Sequence, residues 1–559
     1  MSTEEHEERA RFVPRIWKHL TTRYAEPALI EVHGSSLVPT DGRGITNLMG
    51  TARSFLRRQG VQKGDRVVLI APNSARWVAA DLSVLAEGAV VVPLYARQDP
   101  KELAEIIAHC QPALVICSTT ELLSTLQAAA ASLPATATYD ELYADTGDAE
   151  PVQDEPVRCT ASDPATVVYT SGTSGQPKGV VLSHGNVDFM LARTKNALIA
   201  MLAQRPPADQ NDERVFHYLP FCFAGSRVVL WTCLYRAVPI HVSTDLDNLI
   251  NELAAVDPHY FLNVPMLLER IKNGVEGQIA KRPLPIRWLY QRGRTGQQKG
   301  ANAGRRDRLF HTLADRLIFS KIREKIGPSL ACLICGSAPL GEDTQRWFET
   351  FGIPVYQVYG LTETTAIVTM DVPPDVTPGR VGPTIDGVKV RLMDGELQVK
   401  GPNIFAEYLF MPEQTEAAFD DGWFKTGDQA EVDAKGHWKI VGRVKNLLVP
   451  SSGHNVAPEP IEQKLTETVP GVDAAVLVGH GKPYLAAILS GEPGAIPMAD
   501  LEGAIERING DLPHYRRVRK WLVAPEPFTV ENGLLTANRK LRRQAIESAY
   551  AEQIDGLYA

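Results

Sequence analysis

Short apolar runs and segments of helical spacing alternate along the first two thirds of the chain. Apolar runs at 66–71, 89–93 and 113–117 are separated by amphipathic segments, and the same alternation returns between residues 215 and 358. Continuous apolar strands between helices are typical of a parallel sheet that is covered on both faces. The pattern therefore predicts an α/β fold with a large N-terminal domain of parallel-rich sheets layered with helices.

The pattern becomes richer in strands after residue 386. Strand-like runs at 388–393, 395–399 and 438–441 are bounded by short polar or glycine-containing segments. Such runs predict a β-rich subdomain at the end of the large domain.

A small α+β domain is predicted at the end of the chain. Segments 461–469 and 498–509 have helical spacing, and apolar strands are expected at 472–478 and 484–489. A length of about 115 residues lies within the usual range of a domain. The predicted organisation is an N-terminal domain at 1–442, a hinge at 443–446 and a C-terminal domain at 447–559.

Composition and charge narrow the class of protein. A chain of 559 residues exceeds the size at which one core stops growing, so at least two domains are expected. The net charge of −8 gives no basic footprint, and we expect no nucleic-acid partner. Seven cysteines, mostly within apolar runs, indicate reduced core residues and a cytoplasmic location. Cys332 and Cys335 have the spacing of a metal or redox pair, but their apolar surroundings favour a structural role.

The sequence predicts no membrane-spanning segment. The N-terminus is acidic where a signal peptide would be basic and then apolar. The most apolar window, 78–95, contains Asp81 and Glu87, so it is not expected to cross a bilayer. Peripheral membrane contact is left open, and the sequence does not fix the oligomeric state.

A loop rich in Ser, Thr and Gly offers the first candidate chemistry. The apolar run 165–169 predicts a buried strand that leads into Thr170-Ser-Gly-Thr-Ser-Gly-Gln-Pro-Lys178. Consecutive backbone N–H groups in such a turn form an anion site, to which hydroxyls add donors and Lys178 adds charge. A flexible surface turn is the alternative, but the preceding strand favours a phosphate-binding loop. It is not the common P-loop, whose lysine follows a glycine and precedes Ser or Thr.

Two later motifs follow predicted strands and carry residue types suited to a nucleotide. Gly336-Ser-Ala338 comes directly after one strand, and Tyr359-Gly-Leu-Thr-Glu363 after the next. Ligands of open parallel sheets bind outside the carboxyl ends of strands, where both motifs are expected. Tyr359 offers an aromatic face for a base, and Glu363 offers an oxygen ligand for Mg²⁺. A helix-capping role for the Thr-Glu pair is the alternative.

Three charged residues further along extend this set. Asp428, at the end of a glycine turn, can accept hydrogen bonds from both ribose hydroxyls. Arg443 can reach the same ribose or a phosphate. Lys540 lies in a Gly/Leu/Thr-rich segment, from which its charge could stabilise a negative transition state. Four of residues 539–543 are Lys or Arg, so one more solvated charge in a basic tail is the alternative for Lys540.

In this order and spacing, the motifs between about 160 and 545 resemble those of the adenylate-forming superfamily, which includes acyl-CoA synthetases, peptide-synthetase adenylation domains and luciferases. The segment Asn455–Glu462, the end of the chain from Gly533 to Lys540 and the long 270–325 region look most like long-chain acyl-CoA synthetases. The resemblance implies activation of a medium- or long-chain carboxylic acid by ATP through acyl-AMP, with pyrophosphate release. Transfer to the thiol of coenzyme A (CoA) follows, with Mg²⁺ required and with a C-terminal domain that rotates about the hinge.

The resemblance also implies a role for each motif residue. The catalytic residues would be Lys540, Thr170, Glu363 and Lys178, with Glu363 as the metal ligand. The phosphates of ATP would be bound by Thr170, Ser171, Gly172, Thr173, Ser174, Gly175 and Lys178. The adenine would be surrounded by Gly336, Ser337, Ala338, Tyr359, Gly360 and Thr362. Asp428 and Arg443 would bind the ribose, and Lys445 would lie at the hinge. The residues near the acid or CoA would be Phe223, Arg227, Gly360 and Gly453.

Two positions depart from the family pattern. Phe223 stands where relatives usually carry a histidine after a Leu-Pro-Leu-x segment, which weakens inferences about the acyl channel. Asn446 replaces a commoner acidic residue of the hinge, and Lys445 remains the expected pivot.

One basic segment interrupts the pattern. Residues 292–308 contain six Lys or Arg among Gly, Gln and Ala, without apolar periodicity. This composition predicts a solvated basic loop between helices. Contact with anionic lipid head groups or with the phosphates of CoA is the alternative.

Other functions stay open at this point. The acceptor could be a carrier-protein thiol, an amine or an internal hydroxyl that closes a lactone, because adenylation motifs are shared among such enzymes. An oxygenase of the luciferase type has no discriminating feature in the sequence. A catalytically silent binding protein is disfavoured by the joint presence of Lys178, Glu363, Asp428, Arg443 and Lys540.

Overall fold

The computed structural model describes residues 9–144, 152–171, 177–203, 213–298, 304–451, 453–536 and 540–558. Within these ranges the strands are β1 (Pro27–His33), β2 (Ser36–Asp41), β3 (Arg66–Ile70), β4 (Val90–Leu94), β5 (Leu114–Cys117), β6 (Ala135–Thr138), β7 (Pro164–Ser171), β8 (Pro177–Ser183), β9 (Val215–His217), β10 (Ile240–Ser243), β11 (Tyr260–Asn263), β12 (Leu333–Cys335), β13 (Val355–Tyr359), β14 (Thr369–Met370), β15 (Lys389–Met393), β16 (Glu396–Lys400), β17 (Glu407–Tyr408), β18 (Phe419–Asp420), β19 (Trp423–Val432), β20 (Trp438–Arg443), β21 (Ala474–Val478), β22 (Leu485–Ser490) and β23 (Val518–Val523).

The α-helices of the described residues alternate with these strands. They are α1 (Phe12–Thr22), α2 (Gly42–Arg58), α3 (Ala75–Ala86), α4 (Pro100–Cys110), α5 (Thr120–Ala129), α6 (Tyr139–Leu142), α7 (His184–Leu202), α8 (Ala224–Arg236), α9 (Leu249–Val256), α10 (Pro265–Ala280), α11 (Leu284–Gln298), α12 (Arg305–Ala314), α13 (Ser320–Ile326), α14 (Glu342–Thr350), α15 (Pro412–Ala417), α16 (Glu459–Thr468), α17 (Met498–Gly510), α18 (Arg543–Ala549) and α19 (Ala551–Gly556).

Two large sheets organise the first part of the chain. Among the described residues, one sheet has the order β17-β8-β7-β4-β3-β5-β6 and the other the order β14-β13-β12-β11-β9-β10-β1-β2. Their central strands pair in parallel, whereas the β7–β8, β8–β17, β13–β14 and β1–β2 pairs are antiparallel. The apolar strands β3, β4 and β5 are almost wholly buried, as expected of strands covered on both faces. The predicted α/β class with parallel-rich sheets is confirmed.

Several helices start directly after a polar residue whose side chain caps them. The Ser74 hydroxyl accepts the Trp77 backbone N–H, and the Asp99 carboxylate accepts two N–H groups of α4. Ser183 forms a reciprocal capping pair with Asn186 at the start of α7. These side chains satisfy backbone donors that lack a partner within the helix, so each fixes where the strand-to-helix connection ends.

The basic segment 292–308 forms helices rather than the predicted loop wherever it is described. Residues up to 298 belong to α11 and residues from 305 belong to α12, while 299–303 lie outside the described residues. A Cβ atom at Gly293 would lie 2.4 Å from the Ala314 Cβ, and one at Gly296 would lie 2.6 Å from the Asp307 carbonyl oxygen. The glycines that suggested a loop therefore permit two helices to pack closely, which explains why the prediction was wrong.

The chain divides into two compact units. The first contains residues 1–389 and 399–424, and the second contains 390–398 and 425–559. The sheet with the order β15-β16-β19-β18, with β20 on β19, has strands on both sides of this division, and the sheet β21-β22-β23 lies wholly within the second unit. The second unit begins before the predicted boundary at 442 because β19 pairs with β20, placing Asp428 opposite Arg443. A hinge at 443–446 stays a prediction.

The described residues show neither a membrane-spanning helix nor a disulfide. Where the structure describes the chain, no helix is both long and apolar enough to cross a bilayer. All seven cysteines are buried as free thiols, in line with the expectation of reduced core residues. Cys332 and Cys335 are two of these buried thiols. The described residues contain no group of three or more His, Cys, Asp or Glu placed to hold a metal ion.

A buried ion pair ties α3, α8 and β7 together. The Arg227 guanidinium of α8 donates hydrogen bonds to the Asp81 carboxylate of α3 and to the Thr166 hydroxyl of β7. The Trp231 indole N–H donates to the other Asp81 oxygen at 3.0 Å. Both charged side chains are at most 1% exposed, so each depends on the other for compensation of its charge.

We predict that Arg227→Met lowers the free energy of unfolding by about 3–5 kcal/mol, because it leaves the Asp81 carboxylate buried without its counter-charge. The measurement is the urea midpoint followed by tryptophan fluorescence. Arg346→Met is the matched control, since its 2.8 Å pair with Glu342 is 41% and 57% exposed and is expected to contribute at most about 1 kcal/mol. Adding Asp81→Asn to Arg227→Met should recover part of the loss. Similar losses in the two single variants would contradict this account.

Candidate functional site

The antiparallel hairpin β7–β8 forms the base of the predicted phosphate loop. Thr170 lies opposite Lys178 in the register, and both side chains are partly buried. Directly opposed residues of an antiparallel pair project from the same face, so Thr170 and Lys178 lie on one face of the hairpin. The predicted residues Gly172, Thr173, Ser174 and Gly175 lie outside the described residues, as does the side chain of Ser171.

Lys178 and Glu363 contact the same tyrosine. The short strand β17 pairs with β8 and places Tyr408 opposite Val180. The Tyr408 hydroxyl donates a hydrogen bond to Glu363 Oε1 at 2.9 Å, and the Lys178 Nζ lies 4.8 Å from the centre of the Tyr408 ring. The Glu363 carbonyl also accepts the Phe405 backbone N–H at 2.8 Å. The structure thus brings together a cation and a carboxylate that the sequence predicts separately.

Tyr408 is a candidate site residue that the sequence analysis missed. It is 6% exposed, and burial, followed by the Glu363 carboxylate, raises the pKa of its phenol above the ordinary value. A lysine this close to an aromatic face is attracted by the ring quadrupole. The only sequence signal was an aromatic cluster around residues 405–410, in a strand too short to be recognised by its periodicity.

The Tyr359–Glu363 segment is a constrained turn at the end of β13. A Cβ atom at Gly360 would lie 2.2 Å from the Ala366 carbonyl oxygen, so only glycine allows the two backbone segments to approach this closely. Glu363 lies in the 3₁₀-helix Thr362–Thr364. Thr365 and Ala366 then adopt positive φ values of 50° and 78°, which are strained for residues with side chains. The turn holds Tyr359, Thr362 and Glu363 in fixed relative positions.

The Gly336–Ala338 turn lies beside this segment. It follows β12, which pairs in parallel with β13, so both turns leave the carboxyl ends of neighbouring strands. Ser337 adopts a φ of 71°, and a Cβ atom at Gly336 would lie 2.7 Å from the Val358 side chain. This is the edge of an open parallel sheet where small-molecule ligands bind.

The two predicted acyl-site residues of α8 lie in different environments. Phe223 precedes the helix and is half-buried, with its ring centre 6.2 Å from that of Tyr95. Arg227 is fully buried in the ion pair with Asp81. This arrangement favours a structural role for Arg227 over the predicted contact with substrate, because its charge is already compensated within the fold.

Asp428 and Arg443 form a cross-strand ion pair in the second unit. The Arg443 Nε lies 2.7 Å from the Asp428 Oδ1, and the two side chains are 36% and 4% exposed. Arg443 also donates to the Thr426 carbonyl at 3.3 Å, and Thr426 caps the Asp428 backbone N–H at 3.1 Å. The carboxylate is therefore held in one orientation, with the guanidinium beside it.

The remaining predicted residues of the second unit lie in turns. Lys445 is exposed within the 3₁₀-helix Val444–Asn446, whose Asn446 amide donates to Glu459 at 2.7 Å. Gly453 has a φ of 77° and donates its N–H to the Pro450 carbonyl at 2.9 Å.

Lys540 is exposed, and its backbone is hydrogen-bonded to Thr536. Its backbone N–H donates to the Thr536 hydroxyl at 3.0 Å, and its carbonyl accepts the Thr536 N–H at 2.8 Å. An isolated bridge between Leu535 and Leu541 continues this pairing. The backbone of Lys540 is therefore anchored while its side chain extends toward solvent.

The fold matches that of solved adenylate-forming enzymes. An anthranilate CoA ligase structure, AuaEII in complex with anthranoyl-AMP, superposes with a TM-score of 0.74 over 98% of this chain and 99% of that chain, at 19% identity. The A domain of carboxylic acid reductase from Segniliparus rugosus, in complex with AMP and a co-purified carboxylic acid, has a TM-score of 0.77 over 99% and 95%, at 20% identity. At these identities the likeness establishes the fold class.

Sequence comparison establishes the family. Residues 50–409 match the model of the AMP-binding enzyme family, and residues 445–559 match that of the AMP-binding enzyme C-terminal domain. The chain belongs to the AMP-binding enzyme family, as its motifs predicted. Long-chain-fatty-acid–CoA ligase FadD15 of Mycobacterium bovis is 29% identical over 89% of each chain. Long-chain-fatty-acid–CoA ligase 5 of Mus musculus is 29% identical over 88% of this chain and 80% of its own length.

Proposed function

We propose that this enzyme activates a medium- or long-chain fatty acid with ATP and transfers the acyl group to CoA. A carboxylate oxygen attacks the α-phosphorus, the bond to pyrophosphate breaks, and the acyl-AMP then passes its acyl group to the CoA thiol. The observation that carries the proposal is the convergence of Lys178, Tyr408 and Glu363 beside the base of the Ser/Thr/Gly loop. The names of the curated relatives support the acid class and the CoA acceptor.

Both reactants are anions, so catalysis consists mainly of charge neutralisation and alignment. We assign the outgoing pyrophosphate to Lys178, to Thr170 and to the loop that joins them. Glu363 would hold Mg²⁺, which would neutralise part of the phosphate charge. A single carboxylate suits this ion, because Mg²⁺ usually binds through one or two carboxylates plus substrate phosphates. The Tyr408 hydrogen bond to Oε1 orients that carboxylate.

We assign the adenine and the ribose to two separate groups of residues. We assign the adenine to the turn Gly336–Ala338 and to Tyr359 and Gly360, which form one edge of a parallel sheet. We assign the ribose hydroxyls to Asp428, whose paired and nearly buried carboxylate can accept from both hydroxyls, with Arg443 beside it.

Lys540 would act on the reacting carboxylate and the α-phosphate. An exposed ammonium group on an anchored loop can be delivered to that position when the C-terminal domain moves. We propose Lys445 as the pivot of that motion and Gly453 as part of the surface used in thioester formation. The two lysines would divide the work, Lys178 on the leaving group and Lys540 on the nucleophile.

The central test is a screen of carboxylic acids with and without CoA. We expect acid-dependent pyrophosphate release, with the largest kcat/KM for medium- or long-chain acids, and AMP plus a thioester once CoA is present. Pyrophosphate release without a CoA thioester would instead indicate another acceptor. Absence of acid-dependent pyrophosphate release from a folded protein would reject the proposal.

We predict that Tyr408→Phe raises the Mg²⁺ concentration needed for half-maximal acyl-AMP formation by about tenfold, the usual scale for losing a partner of a metal ligand. The ring beneath Lys178 is kept, so the rate at saturating Mg²⁺ should fall less. Tyr408→Leu should lower both.

Tyr235→Phe serves as the control for the loss of a phenol, since that hydroxyl accepts from Arg15 at 3.3 Å on another surface. An unchanged Mg²⁺ dependence in Tyr408→Phe would contradict a positioning role.

We predict that Lys540→Ala slows acyl-AMP formation by at least ~10², the scale of losing an electrostatic stabiliser, while thiolysis of supplied acyl-AMP is nearly unaffected. The measurement is each half-reaction by rapid quench. Arg542→Ala removes a neighbouring charge and should leave both half-reactions close to wild type. Equal effects of the two substitutions would indicate that Lys540 acts only as part of a basic tail.

A further inference from the structure

Helices α11 and α12 of the first unit carry large apolar side chains that face solvent. The exposed fractions are 73% for Leu284, 51% for Trp288, 66% for Leu309, 44% for Leu313 and 52% for Leu317. We call these five residues the apolar patch. Exposed apolar side chains that occur singly need no explanation, but a group on two packed helices is typical of an interaction surface.

The patch follows helical periodicity. Leu284 and Trp288 are four residues apart on α11, and Leu309, Leu313 and Leu317 are four apart along α12 and the π-turn that follows it. Residues at this spacing share one face of a helix. Each helix therefore presents exposed apolar residues at helical spacing, with Ile286 of α11, 38% exposed, lying off the row.

The core of the first unit is built from other residues of the same helices. Tyr290, Ala314, Ile318 and Phe319 are all buried within one hydrophobic cluster. The Trp347 indole N–H donates to the Tyr290 hydroxyl at 2.9 Å, which fixes this inward face. The fold therefore uses the inward faces, and the outward rows are available for another partner.

An aromatic contact connects the two helices near the patch. The Trp288 ring packs edge-on against Phe310 of α12, with their centres 5.1 Å apart. Phe310 is adjacent to Leu309 in the chain. This contact holds Trp288 in place while leaving half of its surface exposed.

The surface around the patch is strongly basic although the chain as a whole is acidic. The described residues of 284–319 contain seven Lys or Arg and two Asp, within a chain of net charge −8. Arg305, Arg306 and Arg308 are exposed at the start of α12. The Arg292 guanidinium lies 5.8 Å from the centre of the Trp288 ring, so positive charge directly adjoins the apolar row.

We propose that the patch and its arginines bind the surface of an anionic lipid bilayer. Leu and Trp side chains can enter the region between head groups and acyl chains, while the arginines meet lipid phosphates, which is the recognised chemistry of interfacial helices. A second copy of the chain fits less well, because two surfaces of the same positive sign would meet. This inference does not depend on the proposed acid or acceptor.

The first experiment measures binding of the full chain to vesicles by co-sedimentation. Vesicles of phosphatidylcholine alone are compared with vesicles of phosphatidylcholine mixed with phosphatidylglycerol. We expect binding to the mixed vesicles, little binding to phosphatidylcholine alone, and a bound fraction that falls as salt is added, because salt screens the attraction. Failure to bind the mixed vesicles at low salt would overturn the proposal.

Two pairs of matched variants locate the surface. Leu309→Ser with Leu313→Ser should reduce the vesicle partition coefficient at least tenfold relative to Ile250→Ser with Met498→Ser, whose side chains are 80% and 64% exposed elsewhere. The triple change Arg305→Gln, Arg306→Gln and Arg308→Gln should likewise reduce it at least about tenfold. The triple change Arg516→Gln, Arg519→Gln and Lys520→Gln removes the same charge from exposed positions of the second unit. Equal losses within either pair would overturn the assignment.

A second readout reports insertion directly. Tryptophan emission should be quenched by vesicles that contain brominated phosphatidylcholine together with phosphatidylglycerol, and Trp288→Phe should abolish most of that quenching. Quenching that persists in Trp288→Phe would place another face on the membrane. Sedimentation equilibrium of the wild type and of the Leu309 and Leu313 variants completes the test. If the wild type self-associates and these variants do not, the patch is an interface between copies of the chain, and the proposal is overturned.

Discussion

Backbone pairing of three antiparallel strands holds the central side chains of the site together. β7 and β8 set Thr170 against Lys178, and β17 adds Tyr408 on the other side of β8. Main-chain hydrogen bonds fix the backbone positions of Thr170, Lys178 and Tyr408 relative to one another. Glu363 joins this group through its side chain and through its backbone carbonyl. The rest of the proposed chemistry depends on this arrangement.

A second constraint comes from the large parallel-rich sheet. β12 and β13 are neighbours, so the turns that follow them emerge side by side. The second turn contains a glycine contact that no other residue could make and two residues in the left-handed region. Strain of this kind persists only where the surrounding structure enforces it, and it is concentrated at functional sites. On this ground we propose that Gly360 and Ala366 belong to the site, although neither carries a reactive group.

Strands could be predicted from the sequence where burial on both faces requires a continuous run of apolar residues. Strands such as β3 and β11 match the apolar runs of the sequence closely, because a strand covered on both faces must be apolar throughout. The basic segment misled because Gly293 serves close helix packing there rather than a turn. The ion pair of Arg227 with Asp81 and the hydrogen bond of Tyr408 to Glu363 could not be predicted from the sequence, since the partners are distant in the chain and only tertiary packing brings them together.

The buried phenol at the centre of the site has a consequence for how the enzyme responds to alkali. Burial and the neighbouring carboxylate raise the pKa of Tyr408, so its proton stays on the phenol oxygen well above neutral pH. The hydrogen bond to Glu363 therefore keeps its donor as the pH rises above neutral.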